Sequence, residues 1–179
     1  MPCRQAKRRG RSTGDFAMKW VTHQSLAVAA ACVLNMPLEG VLAVWAGSIL
    51  PDLLEQRFTR LFGNRQKAFN RIHRGWTHWF GVWLLFFIRD PSHPLPPLIG
   101  NILFGLGMGG LSHVLLDMCT PAGVPLLPWS KEKKFSLKLC RTGGMGEYTF
   151  LAIGLLVLGC ALPDVRQIFV RLAQTVFSR

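Results

Sequence analysis

The chain carries one long apolar run, Leu98 to Leu116, that closes on Gly109-Gly110-Leu111-Ser112-His113-Val114-Leu115-Leu116-Asp117. A run of that length predicts a helix able to cross a hydrocarbon core ~30 Å thick, which takes ~20 residues. His113 and Asp117 stand four apart at its end, and on a helix that spacing sets an imidazole and a carboxylate on one face. Hydrocarbon penalises a charged side chain by roughly 2.5–3.5 kcal/mol even on lenient insertion scales, so the pair is expected to have a partner or a task.

The composition agrees with a bilayer as solvent. Half of the 179 residues are hydrophobic and only 17% are charged, the pattern of a membrane protein. A net charge of +12, from 21 basic against 9 acidic residues, admits a nucleic acid or a membrane surface as partner. The apolar runs between the basic clusters favour the membrane, and no helix-turn-helix or aromatic stacking surface accompanies the charge. Nucleic acid is therefore not an expected partner. The five cysteines, Cys3, Cys32, Cys119, Cys140 and Cys160, form no C-x-x-C pair and are odd in number, so reduced thiols are expected.

Five apolar segments are visible, Thr22–Asn35, Gly40–Leu50, Thr77–Ile88, Leu98–Met118 and Tyr148–Leu162. They predict an all-α, polytopic membrane bundle of four to five apolar helices, the first two forming an antiparallel hairpin around the stop Asn35-Met36-Pro37. Residues 1–18 read as a basic, structureless extension, 19–163 as the membrane domain, and 164–179 as an amphipathic helix lying in the interface. A signal peptide competes for the N-terminus, but cleavage after the alanine run would discard His23. The spacing Gly105-x-x-x-Gly109 predicts close helix packing.

Basic residues crowd two connections, from Arg57 to Arg74 and from Lys131 to Arg141, whereas the connections at 35–40 and 89–97 contribute only Arg89. The positive-inside rule then places the N-terminus and both basic loops in the cytoplasm. His23, Asp52, His73, His78, His113, Asp117 and Glu147 each fall where an apolar segment begins or ends, and this topology brings all seven to the cytoplasmic end. Asp52 is expected where the second helix is left, His73 in a loop and His78 in a first helical turn. His93 lies in the outer loop and is expected to be solvated.

Taken singly, each histidine is adequately explained by a backbone or headgroup hydrogen bond. As a group, imidazoles and carboxylates suit a divalent ion, zinc first and manganese or iron next, with a coordination position left open. The expected ligands are His23, Asp52, His73, His78, His113 and Asp117, with Asp52 or Glu147 as base. Arg74 and Arg141, with Lys133 and Lys134, could attract an anionic headgroup, although positive-inside topology already accounts for such charges.

Thr22-His23, Leu50-Pro51-Asp52, His73-Arg74-Gly75-Trp76-Thr77-His78, Ser112-His113 through Asp117 and Thr120-Pro121-Ala122-Gly123-Val124-Pro125 resemble the motifs of the YdjM-type bacterial inner-membrane proteins, and Gly143-Gly144-Met145-Gly146-Glu147 resembles the closing segment of that family. The resemblance implies a metal-dependent hydrolase. The ligand order His, Asp, His, His-x-x-x-Asp, Glu is more distantly similar to that of all-helical zinc-dependent phospholipases C and related nucleases, and a metal-bound water suits hydrolysis of an ester or phosphoester, lipid included. One departure stands out. The YdjM-type family often carries a second acid two residues after the Pro-Asp pair, and here that position is Leu54, with Glu55 one place later. The alternative is a non-enzymatic membrane protein in which a metal or polar cluster staples the helix ends while the basic face binds a partner or anionic lipid.

Overall fold

The computed structural model describes residues 14–59, 75–88, 94–128, 130–139, 144–164 and 167. Its helices are α1 (Gly14–Val33), α2 (Leu38–Gly47), α3 (Leu50–Thr59), α4 (Phe80–Leu84), α5 (Pro97–Met118) and α6 (Met145–Ala161), joined by a two-stranded antiparallel hairpin, β1 (Val124–Leu127) and β2 (Ser130–Phe135). The chain is thus mostly helical, as expected, and the hairpin is an addition within what the sequence presents as a basic loop. α1 begins at Gly14, inside the stretch read as a structureless extension. The predicted interfacial helix over 164–179 lies almost wholly outside the described residues.

The α1–α2 hairpin forms as its stop signal predicts. Asn35 takes a left-handed backbone, φ 51°, while the Asn35 and Met36 N–H groups donate to the carbonyls of Cys32 and Ala31 at 3.0 and 3.1 Å. This is the Schellman arrangement that satisfies the last carbonyls of a helix. Pro37 then caps α2 and prevents α1 from continuing.

α5 is the axis of the molecule. Its 22 residues make it the one described helix that is long and apolar enough to cross a bilayer, at about 33 Å by the rise of 1.5 Å per residue. α2 runs parallel to it in close contact. A Cβ at Gly105 would strike the Gly40 carbonyl and Ala43, and one at Gly109 would strike the Val44 carbonyl and the Ser48 nitrogen. The predicted small-residue face is therefore what lets two backbones touch, and it carries Ser48 to the level of His113. On another face Gly110 receives the ring of Trp83.

The third apolar segment is not one helix. It breaks into a 3-10 turn at Trp76–His78, the five-residue α4 and a second 3-10 turn at Leu85–Phe87. Its Trp, Phe, Thr and Val residues are weak helix formers, and Trp83 is held by packing on α5 and by an indole N–H donated to the Thr77 carbonyl at 2.8 Å.

Beside a small apolar core around Val44 and Trp83, the described residues bury many polar groups and expose many large apolar ones. Thr22, His23, Ser48, Glu55, Thr77, His78, His113, Asp117 and Glu147 are buried, whereas Leu38, Leu42, Leu85, Ile88, Leu98, Met145, Ile153 and Val157 are exposed. Apolar surface on this scale marks a face meant for another apolar phase.

Candidate metal centre

The ends of α2, α5 and the starts of α3 and α6 meet at one end of the bundle, together with His23 from α1 and His78 from the first 3-10 turn. Asp52 does not leave the second helix as expected. It sits in the first turn of a separate helix, α3, which starts at Leu50, because Pro51 lacks the N–H that a continued α2 would need yet fits a helix start at no cost. His78 likewise stands in the 3-10 turn that precedes α4, one step outside the helix predicted for it.

The protonation pattern of the two central imidazoles follows from their partners. His113 Nδ1 lies 2.7 Å from the Ser48 carbonyl, and a carbonyl only accepts, so Nδ1 carries the proton. His78 Nδ1 lies 2.9 Å from Glu55 Oε1, to which it donates in the same way. In their neutral forms both rings therefore turn bare Nε2 lone pairs toward each other, 3.3 Å apart. Asp52 Oδ1 stands 3.4 Å from His78 Nε2 and 3.8 Å from His113 Nε2. Asp117 Oδ2 stands 3.4 and 3.9 Å from the same two atoms. Two lone pairs and two carboxylates facing one another in a buried site repel unless a cation lies among them.

The donor set suits a metal. Ligand atoms around an ion bound at 2.0–2.1 Å in a tetrahedral site are separated by about 3.3 Å, close to the shortest spacings here. Each central histidine also has its far nitrogen tied to an oxygen, the arrangement that fixes the tautomer of metal-binding imidazoles. The ligand atoms of Asp52, His78 and His113, and those of His23, His113 and Asp117, lie within 4.8 Å of one another in each triad. The ring of His23 stacks on His113 with centroids 4.0 Å apart. Its Nε2 is 3.7 Å from Asp117 Oδ1, and its buried Nδ1 has no hydrogen-bond partner among the described residues.

Supporting contacts orient the carboxylates. The Trp20 indole N–H donates to Asp52 Oδ2 at 3.2 Å, which leaves Oδ1 toward the histidines. Burial pushes the Asp52 carboxyl up; a proton added to His78 Nε2 would let that ring donate to Asp52, and this bond with the nearby imidazoles outweighs burial, holding the group below the usual carboxylate range. Glu147 accepts the Thr22 hydroxyl at 2.8 Å. It borders a cavity of about 20 Å3 lined by Thr22, His23, Leu116, Asp117, Thr120, Glu147 and Phe150, roomy enough for about one water.

Of the residues singled out in the sequence, the fold brings together His23, Asp52, His78, His113 and Asp117, with Glu147 at the margin. His73, Arg74, His93 and Arg141 lie outside the described residues, and Lys134 is exposed on β2. Sequence reasoning noted Glu55 only as an acid one place late and gave it no role. This residue is fully buried, and its Oε1 accepts from Thr77 Oγ1 at 2.5 Å and the Gly75 N–H at 3.3 Å as well as from His78. Measured along the chain it stands one place late, but on α3 it is three residues from Asp52 and shares its face.

A mostly helical chain that buries many polar side chains, exposes large apolar ones and gathers imidazoles and carboxylates at one end has the character of a membrane-type helical protein, with an internal donor set that could hold a metal ion. The chain belongs to the YdjM inner membrane protein family, whose shared sequence pattern matches residues 18–168; it is thereby a protein of the bacterial inner membrane. It is 37% identical over 101 residues to the inner membrane protein YdjM of Escherichia coli (strain K12), and equally so to that of Shigella flexneri, the matches covering 51% of this chain. The chain spans about half the length of these curated relatives, 49%. No solved structure matches it.

Proposed function

We propose that this is a multi-pass inner-membrane hydrolase, with its N-terminus and basic loops in the cytoplasm, that binds a divalent ion, zinc before manganese or iron, and cleaves an ester or phosphoester at the cytoplasmic face. The observation that carries the reading is the pair of bare Nε2 atoms of His78 and His113, 3.3 Å apart, between the carboxylates of Asp52 and Asp117. Such an ion supplies Lewis acidity and lowers the pKa of water toward ~7. The chain's own residues do the rest. Ser48 and Glu55 fix the tautomers, Trp20 aims Asp52, and Asp117 and His23 complete the donor set, with His73 assigned to it from its motif. Glu147, beside the water-sized cavity, is positioned to take a proton from a water held there, and Asp52 is the second candidate base. Arg74 and Arg141 are assigned to an anionic group of the substrate, and an anionic lipid is the substrate that a membrane-embedded site reaches most directly.

A second reading, a metal staple without turnover, draws on the near-complete burial of His78 and His113. The two part on one experiment. Detergent-purified protein loaded with zinc is assayed on a chromogenic phosphodiester, a carboxylic ester and vesicles containing anionic phospholipid, beside Glu147→Gln. The hydrolase reading expects turnover in the wild type, a fall of at least 100-fold in the variant and equal metal content in both. Full metal, no turnover on any substrate and a sharp loss of melting temperature on chelation would leave only the staple.

A further inference from the structure

Asp117 turns its two oxygens to different partners: Oδ2 faces the Nε2 atoms of His78 and His113 at 3.4 and 3.9 Å, and Oδ1 faces His23 Nε2 at 3.7 Å. His113 belongs to both ligand triads, yet with its Nδ1 committed to Ser48 it has one lone pair to give and can serve one ion only. It points that nitrogen at His78. The second triad then keeps His23 and Asp117 Oδ1, and on that side of the carboxylate lies the cavity lined by Thr120 and Glu147 as well. His23 is buried, 6% exposed, with an Nδ1 that finds no hydrogen-bond partner among the described residues.

The geometry points to a two-cation centre in which Asp117 is the bridging carboxylate. One position is enclosed by Asp52, His78 and His113. The other is open, held by His23 and Asp117, and faces the water-sized cavity beside Glu147. This rests on the reading that the cluster binds metal and deepens it, since in sites with two ions about 3.5–4 Å apart the pair clamps the attacking and leaving oxygens of a displacement. The enclosed position would hold structure and charge, and the open one would meet substrate.

The test uses full-length, tag-free protein in detergent, stripped with a chelator and titrated with Mn2+. Metal is counted by mass spectrometry after gel filtration, and electron paramagnetic resonance is recorded at one and at two equivalents. The expected result is two ions per chain, with a six-line spectrum at one equivalent that gives way to an exchange-coupled signal at two. His23→Gln should bind one ion and lose the coupling. One ion per chain, or a second ion without coupling, overturns the two-cation centre and leaves the single-metal reading standing. No retained Mn2+ overturns the two-cation centre, and no retained zinc in a parallel loading overturns the metal reading as well. Two coupled ions in His23→Gln would remove His23 from the site and this proposal with it. Should that variant fail to fold, the wild-type spectrum decides alone.

Discussion

The Nε2 atoms of His78 and His113 face each other at 3.3 Å while their Nδ1 atoms are engaged by Glu55 and by the Ser48 carbonyl. A hydrogen bond between two such nitrogens needs a proton that neither neutral ring has there. A metal, or a proton added to one ring, must hold the pair together, and the outcomes below separate these cases.

Replacing His78, His113 or Asp117 with alanine should each deplete bound zinc by more than tenfold, because all three face one point, whereas His93→Ala should leave it unchanged. Elemental analysis of purified variants reads this out. Full metal content in all three would rule out the assignment.

Glu55→Gln keeps the size of the side chain and removes its charge. Loss of such an orienting partner typically weakens metal affinity by 10–100-fold. Competition with a zinc indicator should show a shift of that size, while Glu39→Gln, at the other end of the bundle where Asn101 donates to Glu39 at 2.8 Å, should show none.

Acidification should release the ion as protons compete with it for the imidazole nitrogens. Asp52 is held below the usual carboxylate range, so it stays ionised while the imidazoles take up protons. A carboxyl with a depressed pKa contributes stability above its unfolded value and loses it only as pH falls through the lower folded value. Zinc content measured after gel filtration across a pH series reads this out, and metal retained unchanged down to the point of unfolding would contradict imidazole ligation.

Gly109→Val places branched carbon against the Val44 carbonyl and the Ser48 nitrogen, backbone atoms that cannot rotate away. The overpacking should cost about 1–3 kcal/mol and, by lifting Ser48 from His113, should weaken metal binding as well. Thermal melts with and without zinc measure the two effects separately.

Topology can be read by labelling single cysteines in a background free of the native ones. Lys134→Cys, on the basic hairpin, should react from the cytoplasm, and Asn35→Cys, in the α1–α2 turn, from the other side. Labels on the same side would contradict the proposed crossings.

The parts of this fold legible in the sequence were those written in long or local signals. The run ending at His113 and Asp117, the stop at Asn35 and Pro37, the packing glycines and Glu147 at the head of α6 all follow from spacing and from backbone chemistry that neighbours cannot override. The rest depends on tertiary contacts. Leu50–Thr59 mixes apolar and charged residues and runs into a basic connection, so α3 was hidden and Glu55 read only as an acid one place late. Thr77–Ile88 is apolar enough for a helix, but the seat of Trp83 on Gly110 decides its shape. The hairpin escaped notice because Lys131–Lys134 announces charge and not alternation.

The segment that follows that hairpin settles how α5 is allowed to end. The Leu137 and Leu139 N–H groups donate to the carbonyls of Met118 and Cys119 at 2.9 and 2.8 Å, just past Asp117. A helix terminus in oil normally needs water for these carbonyls or must extend until it meets water. Here protein takes the place of solvent, so α5 is free to stop short of the aqueous boundary. Under the proposed topology the ligands would then stand at the depth of a lipid's ester linkages, and a lipid substrate would meet the site without first leaving the bilayer.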